Sequence, residues 1–248
     1  MERSFLSQKF RKKDHLKYYA QIFNIVEINS TFYNFPRKET IKSWRKKVPD
    51  DFRFIIKVWK EITHKLHKEG IDSKVSTFFS QMAQLEDKIS GYLFQFPPWF
   101  KCSEKNVKKL TSIINKMLPS GYHYFFEFRN NTWFKKDIFN EIVDRKKIYI
   151  VTTYLEEANV YFHPGQDVYY IRLIGDRKLE SFKRVQRTQD NVVKELIQMI
   201  NNIKKNFIFI IVNNHFTGFA PETANHLKEL LNLPLHSFST QTSLSEFI

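Results

Sequence analysis

Carboxylates and cations recur inside stretches that otherwise read as buried strands. In "VEINS" Glu27 and Asn29 alternate with Val26 and Ile28, and in "FFEFR" Glu127 and Arg129 alternate with Phe126 and Phe128. Arg172 interrupts "YYIRLIG", Lys57 ends "FRFIIK", and Asn213, Asn214 and His215 follow "FIFIIV". A period of two puts the polar members of each stretch on one face and the apolar members on the other. Glu27 and Glu127 are the candidate catalytic groups, able to move protons if their surroundings tune them. Lys57, Arg129 and Arg172 would hold an anion, the arginines through paired planar donors. Asn29, His64, Asn213 and Asn214 complete the candidate substrate-binding set, orienting hydroxyls or phosphate oxygens. Each also has a plainer use. Glu127 with Arg129 or Arg172 makes a structural ion pair, the asparagines bond loop backbone, and a lone histidine such as His64 or His215 is more often structural than a ligand.

The elements that carry these residues alternate. Helical patterns at Lys13–Phe23, Glu39–Lys47, Ser73–Leu85, Ser103–Met117, Lys136–Lys146, Asn191–Lys204 and Pro221–Leu231 separate strand patterns. The strands are expected at Ile25–Phe32, Phe52–Trp59, Ile89–Phe96, Tyr122–Arg129, Ile148–Tyr154, Val168–Gly175 and Phe207–Asn213. Ser103 is placed to cap the helix that follows it. Such alternation predicts a parallel α/β architecture, because parallel strands need crossovers. No Gly-, Ser- or Pro-rich linker divides the chain, so one domain over 1–248 is expected, with 233–248 a peripheral extension. In a parallel barrel the chemistry gathers at the strand C-terminal ends, which is where these polar residues fall.

The composition narrows the functions. The 248 residues include 25 Phe but only 6 Gly, and no GxGxxG or Walker-type pattern occurs, which argues against the common nucleotide-cofactor enzymes. A single cysteine, Cys102, excludes an internal disulfide and a cysteine zinc cluster. The polar start and the lack of any long apolar run point to a cytoplasmic protein off the membrane. Lys and Arg total 40 against 26 acidic residues, a formal charge of +14, which favours anionic partners, a small molecule or a nucleic acid.

Taken together, "YYAQIFNIVEINSTFYNFP", "PDDFRFIIKVWKEITH", "LFQFPPWF", "FEFRNNTWF", "YIRLIG" and "VNNHFTGFAP" resemble the YecE-like proteins, domain-of-unknown-function family 72, in family order over almost the whole chain. The resemblance implies a TIM-barrel-like (β/α) fold and no established reaction. Members of the family usually begin with a strand like "GTSGWSY", absent here, which accounts for seven readable strands out of eight. Relatives also commonly carry an aspartate near Thr152–Thr153, which this chain lacks.

Two functions compete. One is a hydrolase of a phosphodiester or glycosidic bond in an anionic phosphate-bearing or sugar-containing substrate. The alternative is a non-catalytic protein that binds nucleic acid or a phosphometabolite. No metal site is predicted, since no HxxE or HExxH spacing supports Glu27, Glu127, His64 and His215 as ligands, and no cofactor is specified.

Overall fold

A computed structural model describes residues 14–134, 147–155, 160–176, 178–204 and 207–235. The chain divides into two compact units, one spanning Asn24–Val151 and the other Met1–Phe23 with Thr152–Ile248. The expected helix over 136–146 and residues 236–248 of the C-terminal extension lie outside the described residues. The second unit opens with α1 (His15–Tyr19), the first described helix.

In the Asn24–Val151 unit, β1 (Ile25–Ile28), β2 (Arg53–Lys57), β3 (Ile89–Phe96), β4 (His123–Phe128) and β5 (Ile148–Ile150) form one parallel sheet in chain order. Its helices are α2 (Ser30–Tyr33), α3 (Lys38–Lys46), α4 (Lys60–Thr63), α5 (Ile71–Met82) and α6 (Glu104–Met117). The register pairs Glu27 with Ile55, Lys57 with Leu93, Leu93 with Phe125, and Gln95 with Glu127. Paired residues share a face, so Glu27, Lys57, Gln95 and Glu127 all lie on one side of the sheet. The other side carries Phe54, Ile56, Tyr92, Phe94, Phe96, Tyr124, Phe126 and Phe128, all buried. Phe79 of α5 packs on that side against Tyr92, Phe94 and Tyr124. Each aromatic side chain so buried contributes about 1.5–3 kcal/mol relative to exposure. In α6 the spacing of Leu110, Ile113 and Ile114 buries one stripe, and the Ser103 hydroxyl accepts from Asn106 N at 3.3 Å as the cap. Gly91 has no alternative, because a Cβ there would lie 2.6 Å from the Phe125 ring and 2.7 Å from His123 O.

In the other unit β6 (Thr152–Tyr154), β7 (Val168–Leu173) and β8 (Phe207–Val212) form a three-stranded parallel sheet. Ile171 and Leu173 face Val193, Leu196 and Ile200 of α7 (Asp190–Asn202). Two further helices follow β8, α8 (Asn214–Thr217) and α9 (Ala220–Leu230).

The architecture is α/β with parallel sheets, and it departs from the expected seven-stranded barrel in two places. Among the described residues eight strands occur, in sheets of five and three, because the expected strand Ile148–Tyr154 is divided. Its first half pairs with β4 and its second with β7, and Val151 N donates to Phe126 O at the break. The expected strand Ile25–Phe32 stops at Ile28, and residues 30–33 make a helical turn instead. Ser and Thr side chains bond nearby backbone and so compete with a strand ladder.

Candidate functional site

That turn after β1 is held by one hydroxyl. Thr31 is fully buried, and its Oγ1 lies 2.9 Å from Ile28 O and 2.6 Å from Lys57 O, sharing its single proton between the ends of β1 and β2. The clasp sets Phe32 beside Lys57, whose Nζ stands 4.3 Å from the ring centroid. The contact is a cation–π interaction, strengthened by the removal of Lys57 from water, at 6% exposed. Phe32 also meets His64 edge-on at 5.2 Å. His64 follows α4, and its Nδ1 lies 3.0 Å from the Thr63 hydroxyl. Burial holds the His64 imidazole below its ordinary pKa, and the positive charges of Lys57 and Lys60 push it the same way. The ring is therefore biased toward neutrality, able to give or take one hydrogen bond.

Farther along the sheet, Glu127 is 1% exposed, and Arg129 Nε donates to its Oε1. This pair was one of the structural alternatives, and it forms because residues two apart on a strand point the same way. A catalytic carboxylate is expected to line an open cavity, whereas Glu127 is nearly closed to solvent. Glu27 is 8% exposed on the same face. Removing ions from water costs several kcal/mol each unless partners compensate, so this sheet face is costly unless its charges are paired or put to use. Asn29, two residues beyond Glu27, is exposed just before α2, and its side chain makes no capping bond.

The remaining candidates belong to the other unit. Arg172 is 3% exposed on β7, in register with Thr153 and Ile211. Asn213 Oδ1 accepts from His215 N at 3.0 Å and caps α8, while Asn214 Oδ1 accepts from Ala220 N at 2.9 Å at the start of α9. Both amides therefore serve local backbone. The Thr153 hydroxyl, near the position where the family carries aspartate, is buried without a hydrogen-bond partner. Among the described residues no three His, Cys, Asp or Glu side chains group as metal ligands would.

Some residues of consequence were not singled out from sequence. Asp176 receives both Arg187 Nη1, at 2.6 Å, and Nη2, at 3.0 Å, and Arg187 Nε donates to Phe216 O at 2.9 Å. Gly175 beside it has φ +71°, and a Cβ there would lie 2.3 Å from His215 O, so the tight approach requires glycine. The glycine closing "YIRLIG" was the visible clue; the eleven-residue gap from Asp176 to Arg187 carries none. In "QFPPWF", Phe96 and Phe100 stack at 4.9 Å and Trp133 Nε1 donates to Phe100 O at 2.6 Å, whereas Trp99 points out, 67% exposed.

Known proteins share this arrangement of motifs. The family described as "Protein of unknown function DUF72" matches residues 1–245. The UPF0759 protein YunF of Bacillus subtilis (strain 168) is 25% identical over 260 residues, 93% of this chain and 91% of that protein. The UPF0759 protein YecE of Escherichia coli (strain K12) is 33% identical over 121 residues, 49% of this chain and 43% of its own length. A crystal structure of a DUF72 family protein from Enterococcus faecalis V583 matches with a TM-score of 0.70 at 26% identity, over 88% of this chain and 94% of that one. One from Thermotoga maritima MSB8 shares the fold with a TM-score of 0.69 at 21% identity, over 94% of this chain and 98% of that one. With its motifs in family order and the match running nearly end to end, this chain belongs to the DUF72 family.

Proposed function

We propose that the Asn24–Val151 unit binds an anionic, phosphate-bearing or sugar-containing substrate at the C-terminal ends of β1, β2 and β4, and hydrolyses it. The observation that carries this reading is the gathering of Glu27, Lys57 and Glu127, at 8, 6 and 1% exposed, on one face of a sheet whose other face is lined by aromatic and aliphatic side chains. A sheet built for stability alone would bury aliphatic side chains there. Lys57 attracts the anion, and Glu127 holds Arg129 in position to do the same. Glu27 is the group assigned to proton transfer, with Asn29 and neutral His64 orienting the substrate. From TIM-barrel enzymes the proposal borrows the rule that chemistry sits at strand C-terminal ends. The proposed setting is the cytoplasm, in keeping with a lone, half-buried Cys102.

The test is hydrolysis of chromogenic phosphodiesters and p-nitrophenyl glycosides by the wild type, Glu27→Gln and Lys57→Met. Turnover that falls at least a hundredfold in Glu27→Gln, with folding intact, supports the reading. Turnover equal in all three proteins overturns it. The closed Glu127–Arg129 pair favours a second reading, binding of a nucleic acid or phosphometabolite without turnover, and saturable, salt-sensitive binding with no product would establish that one.

A further inference from the structure

Tyr33 and Trp99 are large aromatic side chains left in water, 55% and 67% exposed, and both sit at the C-terminal end of the five-stranded sheet. They terminate a single run of rings. Tyr33 meets Phe32 at 5.1 Å, Phe32 meets His64 at 5.2 Å, and His64 meets Trp99 at 5.4 Å, with interplanar angles of 87°, 74° and 81°. These edge-on contacts leave more than half of each outer side chain exposed. Cations flank the same run. Lys57 Nζ stands 4.3 Å from the Phe32 centroid and Lys60 Nζ 5.8 Å from that of Tyr33. Lys101 lies exposed two residues after Trp99. The acidic group nearby, Glu61, is bridged by Lys65 at 2.5 Å and Lys74 at 3.2 Å, so its charge is met from two sides.

From these contacts we infer that Tyr33, His64, Trp99 and Lys60 form a stacking subsite for single-stranded nucleic acid, in which unpaired bases lie on the Tyr33 and Trp99 rings and lysines meet the phosphates. Base–aromatic stacking combined with a basic track is the general way such strands are bound, and it tolerates any sequence because every base has a π face. Duplex DNA keeps its base faces covered, and a neutral sugar chain gives the lysines nothing to neutralise. The inference deepens the nucleic-acid reading given above, on which it rests, by naming the strand form and the rings that hold it, and it stands whether or not Glu27 moves a proton.

The experiment is fluorescence anisotropy of a labelled oligodeoxythymidine with the full chain at several salt concentrations, beside a duplex of equal length, polyphosphate and a neutral oligosaccharide as competitors. Single strand should bind more tightly than duplex, with polyphosphate a weak competitor and the oligosaccharide none. Trp99→Ala should weaken binding about tenfold, the low end of one lost stack, while Trp99→Phe keeps most of it. Lys60→Gln should lower the slope of log affinity against log salt by about 0.7. Both ring positions are largely exposed, so circular dichroism should show these variants folded like the parent; Trp99→Phe, which keeps a ring, reports on binding even if the alanine variant is damaged. The inference fails if Trp99→Ala and Tyr33→Ala bind as the wild type does. Equal affinity for duplex, full competition by polyphosphate, displacement by the neutral sugar, or no binding of the strand at low salt would each overturn it as well. Loss of strand binding in Tyr33→Ala with hydrolysis of small chromogenic substrates retained would separate this inference from the proposed reaction.

Discussion

Two residues, Glu127 and His64, convert the candidate site into measurable quantities. Glu127 is closed to solvent and held by Arg129, so removing its charge should destabilise the fold whatever else the carboxylate does. Breaking a buried pair costs about 3–5 kcal/mol, and Gln, which keeps one acceptor for the guanidinium, should fall at the lower end of that range. Urea denaturation of Glu127→Gln checks this, and a midpoint equal to the wild type would show the pair to be inert. His64 gives a pH effect of known sign. Its folded-state pKa is lowered, by burial first and then by Lys57 and Lys60, so below about pH 6.5 the unfolded chain binds a proton that the folded chain resists. Stability from this group is therefore fully present above that pH and is lost as pH falls toward the depressed folded value. The melting temperature of the wild type should decline over that interval more steeply than that of His64→Gln. Identical slopes would remove His64 from the account.

At the scale of elements, the strand centres were legible and several of their ends were not. Ile89–Phe96 is a strand as expected, and Ser103 caps its helix, because long apolar periodicity and capping chemistry are local properties. The β1 boundary was misplaced because "INSTFY" continues the alternation of a strand while Thr31 reaches across to a carbonyl 26 residues away. The division of Ile148–Tyr154 between two sheets is likewise decided by partners distant in sequence, Phe126 and Ile171. Thr31 offers the decisive substitution. Thr31→Val keeps the shape but removes the proton that the Ile28 and Lys57 carbonyls share, and should cost about 1–3 kcal/mol, whereas Thr31→Ser restores the hydroxyl and recovers most of the loss. Chemical denaturation of the three proteins tests the clasp, and a Val variant as stable as the wild type would dissolve it.

Across the whole molecule, the candidate residues were chosen by type and strand position, and apart from Arg129 beside Glu127 their partners were not foreseen. Alternation put the polar members of each stretch on one face of their own strand, and it is the register that brings Glu27, Lys57 and Glu127 to the same side of the sheet. Alternation could not foresee that Asn213 and Asn214 cap helices, or that Tyr33 and Trp99 stay in water, since each outcome depends on contacts made only after folding. Net charge is the property that sequence states for the entire chain, and it leads to a prediction of its own. At +14 the folded protein carries uncompensated self-repulsion, which destabilises a compact state relative to an expanded one. Raising the ionic strength from about 0.01 M to about 0.15 M shortens the Debye length from about 30 Å to about 8 Å and screens that repulsion. The same salt weakens surface pairs such as Lys108–Glu104 and Arg45–Asp87, but exposed pairs of this kind are each worth only about 0.2–1 kcal/mol. Repulsion should win, and the melting temperature should rise with sodium chloride over this range, by about 2–4 °C for each kcal/mol relieved. Variants with several exposed lysines changed to glutamine should start higher and respond less. A melting temperature that falls with salt would mean that the charges are arranged in mutually stabilising pairs, and that the basic excess is not a free surface field available to an anionic partner.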